Sequence, residues 1–137
     1  MIIESLFSLE AKRRVVNVDS WSDFLGIEAL ECCQYGKRIP KSNSTQLSAA
    51  SYWTMGITRA EEESLGSQLT KLLDALHPKA GLIRLLIDKY QLDCGVASFI
   101  WLSDEYRIAD LDLYLEQSLV RKLGEIHADY CIKIYEQ

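Results

Sequence analysis

Apolar residues recur with two different periods along the chain, and these periods predict an ordered series of strands and helices. Alternating or short continuous apolar runs are typical of strands. The strands predicted in this way span residues 2–9, 29–35, 49–57, 92–101, 111–115 and 130–135. The pattern allows the first to extend towards Val15-Val16, and it allows 111–115 to be either a short edge strand or an extended entry to the next helix. Residues 58–63 are predicted to form an exposed acidic turn rather than part of a strand.

Helical spacing is clearest after Ser64, where apolar residues fall on one stripe of a helix. The stripe consists of Leu65, Leu69, Leu72, Leu73 and Leu76. Further helices are predicted over 21–25, 79–90 and 116–123. The resulting order, β-α-β-β-α-α-β-(β)-α-β, predicts a single α+β domain over residues 1–137, with helices packed on one face of a mainly antiparallel sheet.

Composition limits the classes of protein to which the chain can belong. At 137 residues with 48% hydrophobic and 26% charged residues, it is large and apolar enough to form one globular core. Its net charge of -5 repels phosphate backbones, which disfavours direct nucleic-acid binding and favours basic partners. The amino terminus lacks a basic signal region, and the apolar run 81–87 is interrupted by Arg84, so we expect a cytoplasmic protein without a membrane span.

The sequence contains no recognisable catalytic, metal or cofactor motif. It has neither a Gly-x-Ser-x-Gly elbow nor a glycine-rich phosphate loop, and its four cysteines form no Cys-x-x-Cys pair. We therefore predict no catalytic residue, no metal ligand and no cofactor. An enzyme that uses Cys33 or His127, with Cys131 near His127, remains the weakest alternative.

The segment from Asp104 to Glu116 combines negative charge with aromatic residues. It carries five acidic residues against one base, Arg107. Because tyrosine is enriched among interface anchors, this composition suits contact with a basic protein, although an ordinary solvated loop explains it equally well. The predicted binding residues are Asp104, Glu105, Tyr106, Asp110, Asp112 and Tyr114, with Glu61, Glu62 and Glu63 as a second patch. An alternative is a small-molecule or regulatory domain with a pocket between sheet and helices, lined by Trp53 and Trp101.

A series of short motifs carries a family resemblance over about residues 18–135. The motifs are Phe24-Leu25-Gly26-Ile27, Tyr35-Gly36-Lys37, Tyr52-Trp53, the leucine-striped helix from Leu65 and the closing Ile132-Lys133-Ile134-Tyr135. This order resembles a family of small bacterial domains without assigned catalytic activity, whose members look like immunity proteins of polymorphic toxin and contact-dependent growth inhibition systems. Glu28-Ala29 departs from the Glu-Pro pair expected after Leu-Gly-Ile. The resemblance implies a non-enzymatic immunity protein that binds and occludes a toxin domain of the nuclease type, and it assigns no functional residues.

Overall fold

The computed structural model describes residues 1–40, 45–61, 64–111 and 113–136, without the side chains of 58–61 and 110. Its strands are β1 (Ile2–Lys12), β2 (Glu31–Cys33), β3 (Ala50–Glu61), β4 (Asp93–Leu102) and β5 (Asp129–Glu136). Its α-helices are α1 (Trp21–Leu25), α2 (Leu65–Leu76), α3 (Ala80–Tyr90) and α4 (Gln117–Glu125). The sheet has the order β2-β3-β1-β4-β5, and only β4 and β5 pair in parallel. The predicted α+β domain with a mainly antiparallel sheet is confirmed.

Strand lengths differ from the predictions because β1 and β3 pair along their whole lengths. Lys12 lies opposite Ala50 and Ile2 opposite Glu61, so β1 continues past Leu9 in the direction that the sequence allowed, and β3 extends beyond its predicted end at Ile57. The predicted turn over 58–63 is therefore wrong for 58–61, which continue β3. Strand β2 is shorter than predicted and keeps only Glu31–Cys33.

The predicted edge strand at 111–115 is wrong. Its described residues belong to no strand, and they follow a short 3-10 turn at Ile108–Asp110. Strand β4 already has β1 on one side and β5 on the other, so this segment cannot pair with the strand that it follows. Leu111 and Leu115 pack against the core instead, while Leu113 is exposed.

One face of the sheet is covered by the helices, and the apolar core lies between the two layers. Successive strand residues point to opposite faces, so Phe7 and Leu9 of β1 and Trp53 of β3 share this covered face. The leucine stripe of α2 packs against it, as its spacing predicts. The Ser64 hydroxyl begins this helix by accepting the Ser67 N–H at 3.1 Å, which satisfies a free backbone donor of the first turn.

A chain of buried polar groups joins α2 to the covered face. The Tyr130 hydroxyl donates to Ser98 Oγ at 2.9 Å, and Ser98 and Ser5 share a hydrogen bond of 2.9 Å. Ser5 Oγ donates to Gln68 Oε1 at 3.0 Å, and Gln68 Nε2 donates to the Ile3 carbonyl at 2.5 Å. Ile3 lies where the register between β1 and β3 shifts, so Gln68 satisfies a carbonyl beside an irregular part of the ladder.

Two glycines provide backbone conformations on which the motifs around them depend. Gly26 ends α1 with a φ of 68°, and Gly36 turns the chain after β2 with a φ of 82°. Side chains with a Cβ rarely adopt this left-handed conformation, so glycine is favoured at both points. The Leu-Gly-Ile and Gly-Lys motifs are therefore structural. Within the part of the chain that the structure describes, no helix is both long and apolar enough to cross a membrane.

Candidate functional site

The carboxyl ends of three strands and the amino end of β1 meet at one end of the sheet. Ile2 lies opposite Glu61 of β3 and, on its other side, opposite Trp101 of β4. Trp101 in turn lies beside Tyr135 of parallel β5. The acidic segment, which we define as residues 103–116, leaves β4 at this end. The two predicted acidic patches therefore start from the same end of the sheet.

The acidic segment presents charge and rings to solvent at the positions that the structure describes. Asp104 and Glu105 are exposed, and neither forms an ion pair with another described residue. Tyr106 and Tyr114 are 45% and 71% exposed, and Ile108 and Leu113 between them are also exposed. The hydroxyls of both tyrosines make no hydrogen bond within the described residues. These side chains contribute little to the core and are available for contact.

The backbone of the acidic segment is nevertheless anchored at several points. The Tyr106 N–H donates to the Ser103 carbonyl at 3.0 Å, which forms a turn directly after β4. Leu111 and Leu115 pack against the core, and α4 begins at Gln117. Anchors of this kind fix the backbone from which the exposed side chains extend, and a fixed backbone loses less entropy when a surface binds.

Tyr114 also lines a groove of about 610 Å³ between the acidic segment and α2. Residues from the start of α2 form the opposite wall, and Glu116 and Leu119 complete the lining. A volume of this size exceeds that of a single amino-acid side chain.

A second group of rings lies on the open face of the sheet, which the helices leave uncovered. Phe99 and Trp101 stack with ring centroids 6.1 Å apart, and Trp101 stacks on Tyr135 at 5.6 Å. We call Phe99, Trp101 and Tyr135 the aromatic stack. The Lys133 Nζ lies 5.9 Å from the centroid of the Phe99 ring, a distance that permits a cation–π contact. Tyr135 is 42% exposed, so the stack presents apolar surface at the same end of the sheet as the acidic segment.

Several predicted binding residues lie outside the described residues. These are Glu62, Glu63 and Asp112, together with the side chains of Glu61 and Asp110. The backbone of Glu61 ends β3, and that of Asp110 ends the 3-10 turn. The candidate surface is therefore defined by Asp104, Glu105, Tyr106 and Tyr114, together with the aromatic stack. The sequence did not predict that the three residues of the stack form one cluster.

The two tryptophans of the predicted pocket do not face each other. Trp53 is fully buried on the covered face, where its Nε1 donates to Ser22 Oγ at 3.0 Å and its ring meets Phe7 edge-on. Trp101 lies on the open face in the aromatic stack. The prediction that both line one pocket between sheet and helices is therefore wrong, because the pleat and the register place their side chains on opposite sides of the sheet.

The residues considered for catalysis are also separated. Cys33 belongs to β2 and His127 precedes β5, so they lie at opposite edges of the sheet. The Cys33 thiol donates to the carbonyls of Gln34 and Arg38 at 3.5 Å. No hydrogen bond joins His127 to Cys131, and the described residues contain no group of three or more side chains placed to hold a metal ion.

The pKa shifts in the structure arise from burial rather than from an activating base. Burial raises the pKa of Cys94 to about 12 and also raises the pKa of Cys32. The pKa of Tyr52 is raised by burial and by its hydrogen bond to Glu31, and burial raises that of Tyr130. These groups keep their protons near neutral pH, which is the opposite of what an activated nucleophile requires.

A family model described as "Domain of unknown function (DUF4279)" matches residues 4–137. The chain belongs to this family. The match to DUF4279 includes β1 from Glu4 onwards, the other four strands and all four described α-helices, so the candidate surface is part of the family domain and not an addition to it. No curated protein and no solved structure matches the chain.

Proposed function

We propose that this DUF4279 domain is an immunity protein, which binds a bacterial toxin domain and neutralises it by covering its active surface. On this proposal the protein is cytoplasmic and catalyses no reaction itself. The toxin domain is basic and of the nuclease type, as in contact-dependent growth inhibition systems. The binding surface consists of the acidic segment and the neighbouring aromatic stack.

The exposed pair Tyr106 and Tyr114 is the observation that carries this proposal, together with Asp104 and Glu105, which form no ion pair with another described residue. Tyr114 is 71% exposed although large aromatic side chains gain free energy when they are removed from water. Tyrosines of this kind act as anchors in protein interfaces because they bury much area with few rotatable bonds. Carboxylates beside them select a partner of opposite charge.

Charge explains how such a protein could reach a toxin quickly. The net charge of -5 and the unpaired Asp104 and Glu105 create a negative field at one end of the sheet. A nuclease cleft carries positive charge because its substrate is a polyanion. Attraction between such surfaces can raise association rate constants to about 10⁸–10⁹ M⁻¹s⁻¹ at low salt.

The test uses the toxin domain encoded immediately upstream of this chain's gene, and the absence of such a gene would count against the proposal. The double variant Asp104→Lys, Glu105→Lys should associate with it roughly tenfold more slowly at low salt, because each reversal replaces attraction with repulsion. Stopped-flow fluorescence at two salt concentrations measures the rate.

The matched control is the double variant Asp93→Lys, Asp129→Lys. Both residues are exposed and lie at the other end of the sheet, so the change in net charge is the same. The control should keep most of the wild-type rate. Equal slowing in the two variants would show that net charge matters and this surface does not, and an unchanged rate in both would remove the acidic segment from the interface.

A further inference from the structure

A separate cleft lies between α1 and α3, away from the acidic segment. It has a volume of about 410 Å³, which is within the range of small-molecule sites. Its walls are mainly apolar and include Trp21, Phe24, Leu85, Leu86 and Tyr90. Phe24 and Leu85 are 45% and 59% exposed at its rim, so the cleft leaves large apolar side chains in water.

The far wall of the cleft is held in place by a contact from another part of the chain. Arg14 Nη2 donates to the Tyr90 carbonyl at 2.8 Å and to the Gln91 carbonyl at 2.7 Å. These bonds satisfy backbone acceptors at the end of α3. The Tyr90 ring also packs against Trp21, with centroids 5.6 Å apart. The cleft is therefore formed in advance and does not depend on a ligand to shape it.

One cation lies at the edge of the cleft, and one buried donor belongs to the Trp21 side chain that forms part of its wall. The Lys89 ammonium forms no ion pair within the described residues, and it lies 5.2 Å from the centroid of the Tyr90 ring. The indole Nε1 of Trp21 is buried without a hydrogen-bond partner, the one such side-chain atom among the described residues. Most buried donors in proteins are paired, so an acceptor near this indole would be favourable.

We propose that this cleft binds a small amphipathic anion, with its apolar body between Phe24 and Leu85 and its carboxylate near Lys89. The apolar walls account for the body, and the unpaired cation accounts for the charge. The Trp21 side chain lines the cleft, so its indole signal reports binding even though its N–H is buried.

The experiment titrates the ¹⁵N-labelled protein with 4-phenylbutyrate and, separately, with its uncharged amide, and follows the three indole N–H signals by NMR. The Trp21 signal, assigned from Trp21→Phe, should shift and saturate with 4-phenylbutyrate. The amide should bind about fivefold more weakly, the size expected for a partly exposed charge contact. Lys89→Ala should remove the difference between the two compounds.

Matched variants separate this site from unspecific apolar binding. Leu85→Asp should abolish saturation, whereas Val120→Asp, at an exposed valine of α4, should leave it unchanged. Lys37→Ala, which removes an exposed lysine outside the cleft, is the matched control for Lys89→Ala and should keep the difference in affinity between the acid and the amide. Equal affinity for acid and amide, a shift confined to Trp53 or Trp101, or no saturable shift of Trp21 would each overturn the proposal. None of these outcomes bears on toxin binding.

Discussion

The two faces of the sheet differ in how they use aromatic and polar residues. On the covered face Trp53 is fully buried with its N–H paired, and the chain from Tyr130 through Ser98 and Ser5 to Gln68 is fully hydrogen-bonded. On the open face Trp101 stacks on Tyr135, whose ring is 42% exposed. The same residue types therefore stabilise the fold on one face and remain partly exposed to solvent on the other.

This difference separates stability from binding. A side chain that is buried and hydrogen-bonded in the core has no exposed area or unpaired polar group with which to contact a partner. Buried groups gain their free energy during folding. Half-exposed rings retain surface that a second protein can remove from water. Substitutions on the two faces should therefore affect different measurements.

The largest effect should come from comparing Trp53→Ala with Trp101→Ala. The first leaves a large cavity in the core and should lower the free energy of unfolding by about 3–5 kcal/mol. The second removes stacking contacts from a partly exposed ring and should lower it by about 1 kcal/mol. Urea unfolding followed by circular dichroism measures both. Similar losses in the two variants would contradict the division between the faces.

A smaller loss is expected for Gln68→Leu, which removes the amide that joins α2 to β1. The Ile3 carbonyl and the Ser5 hydroxyl lose the hydrogen-bond partner that Gln68 provides, and both groups remain buried. Unfolding free energy should fall by about 1–3 kcal/mol. Gln117→Leu, at an exposed glutamine of α4, is the control and should change it by less than about 0.5 kcal/mol. A neutral Gln68→Leu would show that the polar chain adds no stability beyond an apolar contact of the same size.

Alkaline pH should weaken the covered face through Cys94. Burial raises the pKa of this thiol from 9.0 to about 12, so the folded protein keeps a proton that the unfolded chain releases. The contribution of the protonated thiol to the free energy of unfolding is complete below pH 9 and declines as the pH rises towards 12. At pH 10 the free energy of unfolding should be lower by about 1 kcal/mol for this reason. Urea unfolding at pH 7 and pH 10 should show a smaller decline in Cys94→Ala than in the wild type. The exposed Cys131→Ala should decline as the wild type does, and identical behaviour of all three proteins would contradict the assignment.

The smallest effect on stability is expected for Tyr114→Ala. Because this side chain is 71% exposed, its loss should change the free energy of unfolding by less than about 0.5 kcal/mol. On the proposed function, the same variant should weaken toxin binding by about 2 kcal/mol, as measured by calorimetry. Tyr35→Ala, at an exposed tyrosine beside β2, should change neither quantity. Loss of stability without loss of affinity would place Tyr114 in the fold and not in the interface.

The fold was largely predictable because periodicity reports burial. The leucine stripe from Leu65 to Leu76 is buried on one side only if this segment is a helix. The apolar residues of β4 are buried on one face of the sheet if this segment is a strand. The Leu111–Leu113–Leu115 alternation failed for a physical reason. β5, from the end of the chain, takes the position beside β4, and the described residues of this segment pack Leu111 and Leu115 against the core without joining either edge of the sheet.

The candidate surface was only partly predictable. Exposed tyrosines among carboxylates were visible at Tyr106 and Tyr114, but the aromatic stack required the register of β4 against β5. Ser5, Ser98 and Gln68 are recognisable in the sequence, because each is a polar residue in or beside an apolar stripe. Their mutual contact depends on a non-local pairing, and spacing along the chain does not report it.

Hydrogen exchange of the chain with and without the upstream-encoded toxin domain tests the account most directly. Amide exchange should slow on binding in residues 103–109 and 113–116 and at the end of β5, while residues 34–40 beside β2 should exchange as in the free protein. Protection confined to residues 34–40 or to α1 and α3, with none in the acidic segment, would contradict the assignment of this end of the sheet to toxin binding.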